Sequence, residues 1–246
     1  MSTSIALVCE GPSDLRTVCP LADRVIAYHC SAWIDAGTIG SFREYRGFRR
    51  SDRFLSWREV RGLARQHRAV FLGHFEGVPP LHHDAHRTRE AIILLTLRTP
   101  EPAAAIILVR DGDQEYEERR AGILHARDTT PAPAGVPVVV GVANRMRECW
   151  VLAGFVPGDD EQERWAAERQ RLGFDPCAES HELTASDPAA DRSPKRVLAA
   201  LVGDDHGRER ECMTACPLDR LKDRGGANGL KAFIEELETR LVTAFR

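Results

Sequence analysis

Three acidic side chains each follow a short apolar run. Ile5-Ala6-Leu7-Val8-Cys9 leads into Glu10-Gly11, and Ala105-Ile106-Ile107-Leu108-Val109-Arg110 leads into Asp111-Gly112-Asp113. Carboxylates crowded together raise one another's pKa, so Glu10, Asp111 and Asp113, if they converge, either share a divalent cation or keep a proton. Both states suit catalysis better than packing. The alternative is that such acids merely cap helices and shape turns. Asp14 closes the Glu10-Gly11-Pro12-Ser13-Asp14 turn, and Glu148 stands in Met146-Arg147-Glu148-Cys149-Trp150 after a third apolar run. An acid at a helix start is stabilised by the dipole without any metal, so Glu148 is the less specific of these signals.

The elements that must position them are strands. Runs of four to eight apolar, β-branched-rich residues ended by Gly and Asp read as buried strands of a parallel sheet, whose ligands collect beyond the carboxyl ends. A helix should start near Ser13 and end before Tyr28. Ser31 to Ile39 reads as a second strand or hairpin, Leu55 to Gln66 as a helix, Ala69 to Leu72 as a brief strand, and Asp84 to Arg98 as a helix stopped by Thr99-Pro100. Glu115 to His125 reads as a charged helix, 129–135 as a proline-rich loop, and Val136 to Val142 as the third core strand. Past Phe155 the charged stretch Gly158 to Arg171 and the Pro/Asp/Ser-rich stretch Asp175 to Pro194 read as loop or irregular lid, followed by helices over Pro194 to Val202 and Leu230 to Phe245.

The chain of 246 residues, 43 % hydrophobic, is long enough for one α/β domain with a helical extension. Its seven cysteines contain no CxxC pair, so reduced thiols in a cytoplasmic protein are expected. No leader pattern and no long apolar run are present, and membrane insertion is not expected. A net charge of −3 argues against a chain that coats nucleic acid indiscriminately. A local patch is still conspicuous: Arg43, Arg46, Arg49, Arg50, Arg53, Arg58, Arg61, Arg65 and Arg68 interleave with Phe42, Tyr45, Phe48, Phe54 and Trp57. Cations among aromatics suit a phosphate backbone and unstacked bases, which makes Arg43, Arg46, Arg49, Arg50 and Arg53 candidate nucleic-acid contacts. Arginine is, however, the default cation of this chain, and Trp150 among Cys149, Val151 and Leu152 reads as core. His82, His83, Asp84 and His86 offer zinc-type ligands, with His82 and His86 on one helix face, although a solvated helix entrance explains them as well. Cys212 and Cys216 read as buried small side chains.

The pairing of a strand into Glu10-Gly11-x-x-Asp14 with a strand into Asp111-Gly112-Asp113 resembles a Toprim domain, the metal-binding fold of type II topoisomerases, bacterial primases and OLD-family nucleases. The fuller pattern, with Arg147-Glu148-Cys149-Trp150-Val151-Leu152, Ser193-Pro194-Lys195-Arg196-Val197-Leu198 and Gly229-Leu230-Lys231-Ala232-Phe233-Ile234, is similar to Toprim-like proteins found beside ATPases in bacterial phage-defence gene clusters. The resemblance implies a Rossmann-like, mostly parallel sheet over 1–155 with an insertion at about 28–100, and an irregular and helical extension over 156–246 packed on it. It implies one or two Mg²⁺ or Mn²⁺ ions, with Asp111 and Asp113 as ligands, Glu10 as acid/base or further ligand, Asp14 supporting the loop or a second metal, Glu148 joining the set, and Lys195 approaching the phosphate. It implies a nuclease acting on nucleic acid, DNA before RNA, as effector of an antiphage assembly. No GxxxxGK[ST] loop is present, so any ATPase would be a separate chain. A homo-oligomer is compatible with the sequence. Two other classes are consistent with the residues: a regulatory subunit that binds metal or nucleotide without turnover, and a metal-dependent nucleotidyl- or glycosyl-transferase.

Overall fold

A computed structural model describes residues 2–131, 133 and 135–245. The elements run β1 (Thr3–Cys9), α1 (Pro12–His29), α2 (Ile39–Phe42), β2 (Arg43–Arg46), β3 (Leu55–Ser56), α3 (Trp57–Gln66), α4 (Asp84–Leu97), β4 (Ala105–Asp111), α5 (Tyr116–Thr129), β5 (Val138–Ala143), α6 (Glu148–Gly154), α7 (Gln162–Leu172), α8 (Pro194–Val202), α9 (His206–Thr214), α10 (Leu218–Arg224) and α11 (Leu230–Thr239). Among the described residues these strands make one five-stranded parallel sheet in the order β2-β1-β4-β5, with β3 pairing the end of β1 beyond β2.

Period-two alternation splits each strand between two cores. Ile5, Leu7, Cys9, Ile107, Val109 and Val139 join a cluster with α1, α6 and α8 to α11. Ala6, Val8, Ile106, Leu108, Val138, Val140 and Val142 face α3, α4 and α5. Both faces are therefore covered, which is why the strands read as continuous apolar runs. The segment over 156–246 supplies helices to the first core, so its apolar residues and those of the sheet are buried together. The segment over 28–100 supplies two strands of the sheet and two helices of the second core.

Several sequence expectations differ from this architecture. Ser31 to Ile39 forms turns that lead into the start of α2 rather than a strand, and the second strand lies later, at Arg43–Arg46, where the polar sequence REYR hid it. Ala69 to Leu72 is not a strand, and a short strand lies instead at Leu55–Ser56, where the two-residue β3 pairs with β1. The charged stretch read as a loop contains α7, a helix with no buried residue. Its Glu, Arg, Ala and Gln carry helix propensity without an apolar stripe. The helix expected to reach Phe245 stops at Thr239 and continues as a 3₁₀ turn over Leu241–Phe245. The proline-rich loop at 129–135 includes positions 132 and 134, which lie outside the described residues. No described helix is long and apolar enough to cross a membrane.

Candidate active site

The acids meet at the carboxyl edge of the sheet, where β1 ends at Cys9, β4 at Asp111 and β5 at Ala143. Gly112 is required by a close approach. Its N–H donates to the Ala143 carbonyl at 2.7 Å, and a Cβ there would lie 2.7 Å from the same oxygen and 2.9 Å from Tyr116 Cδ2. Asp113 and Arg145 then pair their loops while both adopt left-handed backbone, with φ of 49° and 72°. Asp113 N donates to Arg145 O at 2.9 Å, and Arg145 Nη1 donates to Asp113 O at 3.3 Å. Non-glycine residues held this way cost about 1 kcal/mol or more each, a strain that concentrates at functional sites.

Asp14 shapes the turn after β1. Its Oδ2 accepts from the backbone N–H of Glu10 at 2.8 Å and of Gly11 at 3.1 Å. Burial raises its pKa against the opposing pull of those two N–H groups and of Arg147, and Glu148 pushes it further up. Asp111 stands at the centre. Its Oδ1 accepts from Arg147 N at 2.8 Å, and its pKa is held well above the usual carboxylate range, first by burial and then by the charges of Glu10, Glu148 and Asp14. Four of the acids singled out in the sequence thus form one electrostatic group.

Asp113 is not part of it. Its exposed carboxylate is held by Arg119 Nη1 at 2.9 Å. The half-exposed Glu10 is engaged from the other side by Arg110 Nη1 at 3.1 Å. These two arginines converge on Asp84, a wholly buried carboxylate at the start of α4, whose Oδ2 lies 3.3 Å from Arg110 Nε and 3.1 Å from Arg119 Nε. Arg119 also donates to the Asp111 carbonyl, and Trp57, whose Nε1 donates to Val109 O at 2.6 Å, lies beneath the Arg110 guanidinium. A relay Glu10–Arg110–Asp84–Arg119–Asp113 therefore runs past the Asp111 backbone and links the two outer acids. The sequence offered Asp84 only as a zinc-type ligand beside His82, His83 and His86 and marked neither Arg119 nor Arg110, of which Arg110 alone carried a local signal, as the residue directly before Asp-Gly-Asp.

On the opposite side Arg147, buried, donates to Thr17 Oγ1 and to Glu209 Oε2, each at 3.0 Å, and approaches Glu148 Oε1 at 3.5 Å. Glu209 belongs to α9, so the C-terminal helices help hold the site. Lys195 is exposed on the first turn of α8 and makes no hydrogen bond or ion pair among the described residues. Trp150 is core, stacked on Phe233 at 5.0 Å.

Among the described residues the only three donors within 4.8 Å of one another are those of His82, His83 and Asp84. That trio is poorly suited to a dication. Asp84 already faces Arg110 and Arg119, and His82 Nδ1 accepts from Asp84 N at 3.1 Å. His86 turns instead to the Gly73 carbonyl at 3.1 Å. The Glu10, Asp111 and Glu148 set is all-oxygen, the chemistry of a hard ion such as Mg²⁺ or Mn²⁺, and repulsion around Asp111 is what such an ion relieves. These carboxylates would have to draw inward around it.

The arginine patch divides. Arg46 is buried and donates to Ser4 Oγ and to the carbonyls of Gly47, Phe48 and Glu101, so it is a brace beneath β2 rather than part of a solvent-facing surface. Arg43 is clamped bidentately by Asp23, at 2.7 and 2.5 Å, and Arg50 pairs with Glu44 at 2.7 Å. Arg49 and Arg53 are exposed and unpaired among the described residues. A cleft of about 650 Å³ lies between the α6–α7 connection and α9–α10 and contains none of the candidate acids. No family model, no curated protein and no solved structure matches the chain.

Proposed function

We propose that this chain is a Mg²⁺- or Mn²⁺-dependent phosphodiester hydrolase of Toprim type that cuts nucleic acid, DNA in preference to RNA. It would act in the cytoplasm as the effector of an antiphage assembly with a separate ATPase. The observation that carries the reading is Asp111, a carboxylate at the edge of a parallel sheet whose pKa is driven up first by burial and then by Glu10, Glu148 and Asp14. That arrangement costs stability unless a cation is shared or a proton is kept. Cys9, Cys19, Cys149, Cys177, Cys212 and Cys216 are free thiols, in keeping with a reducing compartment.

Asp111, Glu10 and Glu148 would hold the ion, which supplies charge to the phosphate oxygens and lowers the pKa of water. Glu10 is the most exposed of the three and the one able to take a proton from the attacking water. Arg110 and Arg119, fixed by Asp84, face the anionic phosphate and the charge that develops as the ester bond breaks. Release of Asp113 from Arg119 frees that carboxylate to join the ligands. The Asp113–Arg119 pair also favours a second reading, a regulatory subunit whose site binds metal or nucleotide without turnover.

The test is cleavage of labelled single- and double-stranded DNA and RNA with Mg²⁺, Mn²⁺ or EDTA, beside Glu10→Gln and Asp111→Asn. Metal-dependent cleavage lost in both variants supports the hydrolase. Metal binding that Asp111→Asn abolishes, without cleavage by the wild type, supports the regulatory reading. Full activity in Asp111→Asn rejects the site.

A further inference from the structure

We propose that a groove along α1 binds a single nucleic-acid strand and feeds it to the carboxylates. This proposal rests on the phosphodiester reading above and names the form of its substrate.

Two clefts adjoin there. One, about 320 Å³, is lined by Arg16, Cys19, Arg53 and Arg210, and the other, about 480 Å³, by Ala27, Tyr28, Ile34 and Ile39; both share Pro20, Asp23 and Arg210. Arg16, Pro20, Asp23 and Ala27 are spaced by four, three and four residues, one stripe of a helix. From Arg16 to Tyr28 the groove is roughly 18 Å long at about 1.5 Å per residue. Its Arg16 end abuts the candidate site. Arg16 Nε lies 3.5 Å from Glu209, which holds Arg147, whose backbone N–H in turn holds Asp111.

The two ends differ in chemistry. Asp23 is spent on Arg43 and on the Tyr45 hydroxyl at 2.8 Å, so it does not cancel the other cations. Arg53 and Arg210 are exposed and make no ion pair among the described residues, and Arg16 shares its one acid with the closer Arg147. The site end therefore carries unspent positive charge. At the far end Tyr28 is 68 % exposed beside the apolar Ile34 and Ile39, and Trp33, adjacent in sequence to Ile34, is 51 % exposed. Free guanidiniums for phosphates followed by exposed aromatic faces for bases are what an unpaired strand requires, whereas the bases of a duplex are stacked on one another and unavailable to Tyr28.

Fluorescence anisotropy in EDTA, with a labelled oligothymidylate and a duplex of equal length, tests this without requiring cleavage. The wild type should bind the single strand more tightly. Arg53→Glu/Arg210→Glu should weaken binding at least about tenfold and flatten the salt slope by roughly 1.4, the loss of two phosphate contacts on a single strand. Tyr28→Ala should weaken it about fivefold or more. Arg98→Glu/Lys231→Glu, which makes the same change of charge at two exposed positions outside both clefts, should retain wild-type affinity. Absence of oligonucleotide binding, preference for the duplex, or equal loss in the two charge-reversed proteins overturns the proposal. Single-strand binding that follows these residues in a protein that never cleaves leaves the groove intact and rejects only the hydrolase.

Discussion

Asp84→Asn isolates the arginine-bridging role of a residue that the sequence offered only as a zinc-type ligand. The side chain of Asp84 is 0 % exposed, and those of its partners Arg119 and Arg110 are 6 % and 14 % exposed. Removing one member of a buried ion pair costs about 3–5 kcal/mol because the remaining charge stays desolvated. Arg110 keeps Glu10, and Arg119 keeps Asp113 and the Asp111 carbonyl. The loss should therefore fall at the low end, about 3 kcal/mol. For a chain of this size that is a fall in Tm of roughly 6–12 °C. Urea unfolding gives the free energy and a thermal melt the shift, both in EDTA. Combining the change with Arg119→Gln should cost less than the sum of the single losses by about 1–3 kcal/mol, since the two side chains act as a pair. A loss under about 1 kcal/mol would refute the hub. So would a wild-type Tm that drops as far when EDTA is added, because the stabilising partner of Asp84 would then be a metal held with His82 and His83 rather than the two arginines.

Arg46→Met should cost about 2–4 kcal/mol in urea unfolding, through the buried carbonyls of Gly47, Phe48 and Glu101 that lose their donor, while oligonucleotide affinity per folded molecule stays unchanged. Asp111 has a folded pKa above its unfolded value, so its contribution to stability is present below the usual carboxylate pKa and lost as pH rises through the folded value. In EDTA the Tm of Asp111→Asn should accordingly exceed that of the wild type by a margin that widens from about pH 4 upward, and Mn²⁺ should reverse the order at neutral pH. Gly229→Ala should destabilise by about 2 kcal/mol or more by calorimetry, because φ is 86° and a Cβ would sit 2.2 Å from the Val142 carbonyl.

The strands that carry the acids were legible because both faces of the sheet are covered, which forces long apolar runs ended by turn residues. Glu10, Asp14, Asp111 and Glu148 were legible for the same reason. Asp113 illustrates the limit of a short motif: two residues from Asp111, it is pulled away by an arginine on the next helix. Arg46 shows another, since nothing in a run of arginines tells a brace from a surface cation until the carbonyls of Gly47, Phe48 and Glu101 are seen closing around it. Strand β2, of sequence REYR, and helix α7, with no buried residue, lack the apolar periodicity on which such reading depends. The Asp84 relay joins elements far apart in the chain through contacts that leave no periodic trace.

Asn228 fastens the loop after β5 from a distance. Its carbonyl accepts from Asn144 N at 2.8 Å and Trp150 Nε1 at 2.9 Å, and its amide donates to Cys149 O at 3.0 Å and Ser180 Oγ at 2.9 Å. During synthesis every candidate carboxylate leaves the ribosome well before this anchor does. A nascent or prematurely stopped chain would carry the acids without the clasp that sets Arg147 and Glu148 beside Asp111. The order of translation would thus leave an unfinished molecule without an assembled carboxylate group.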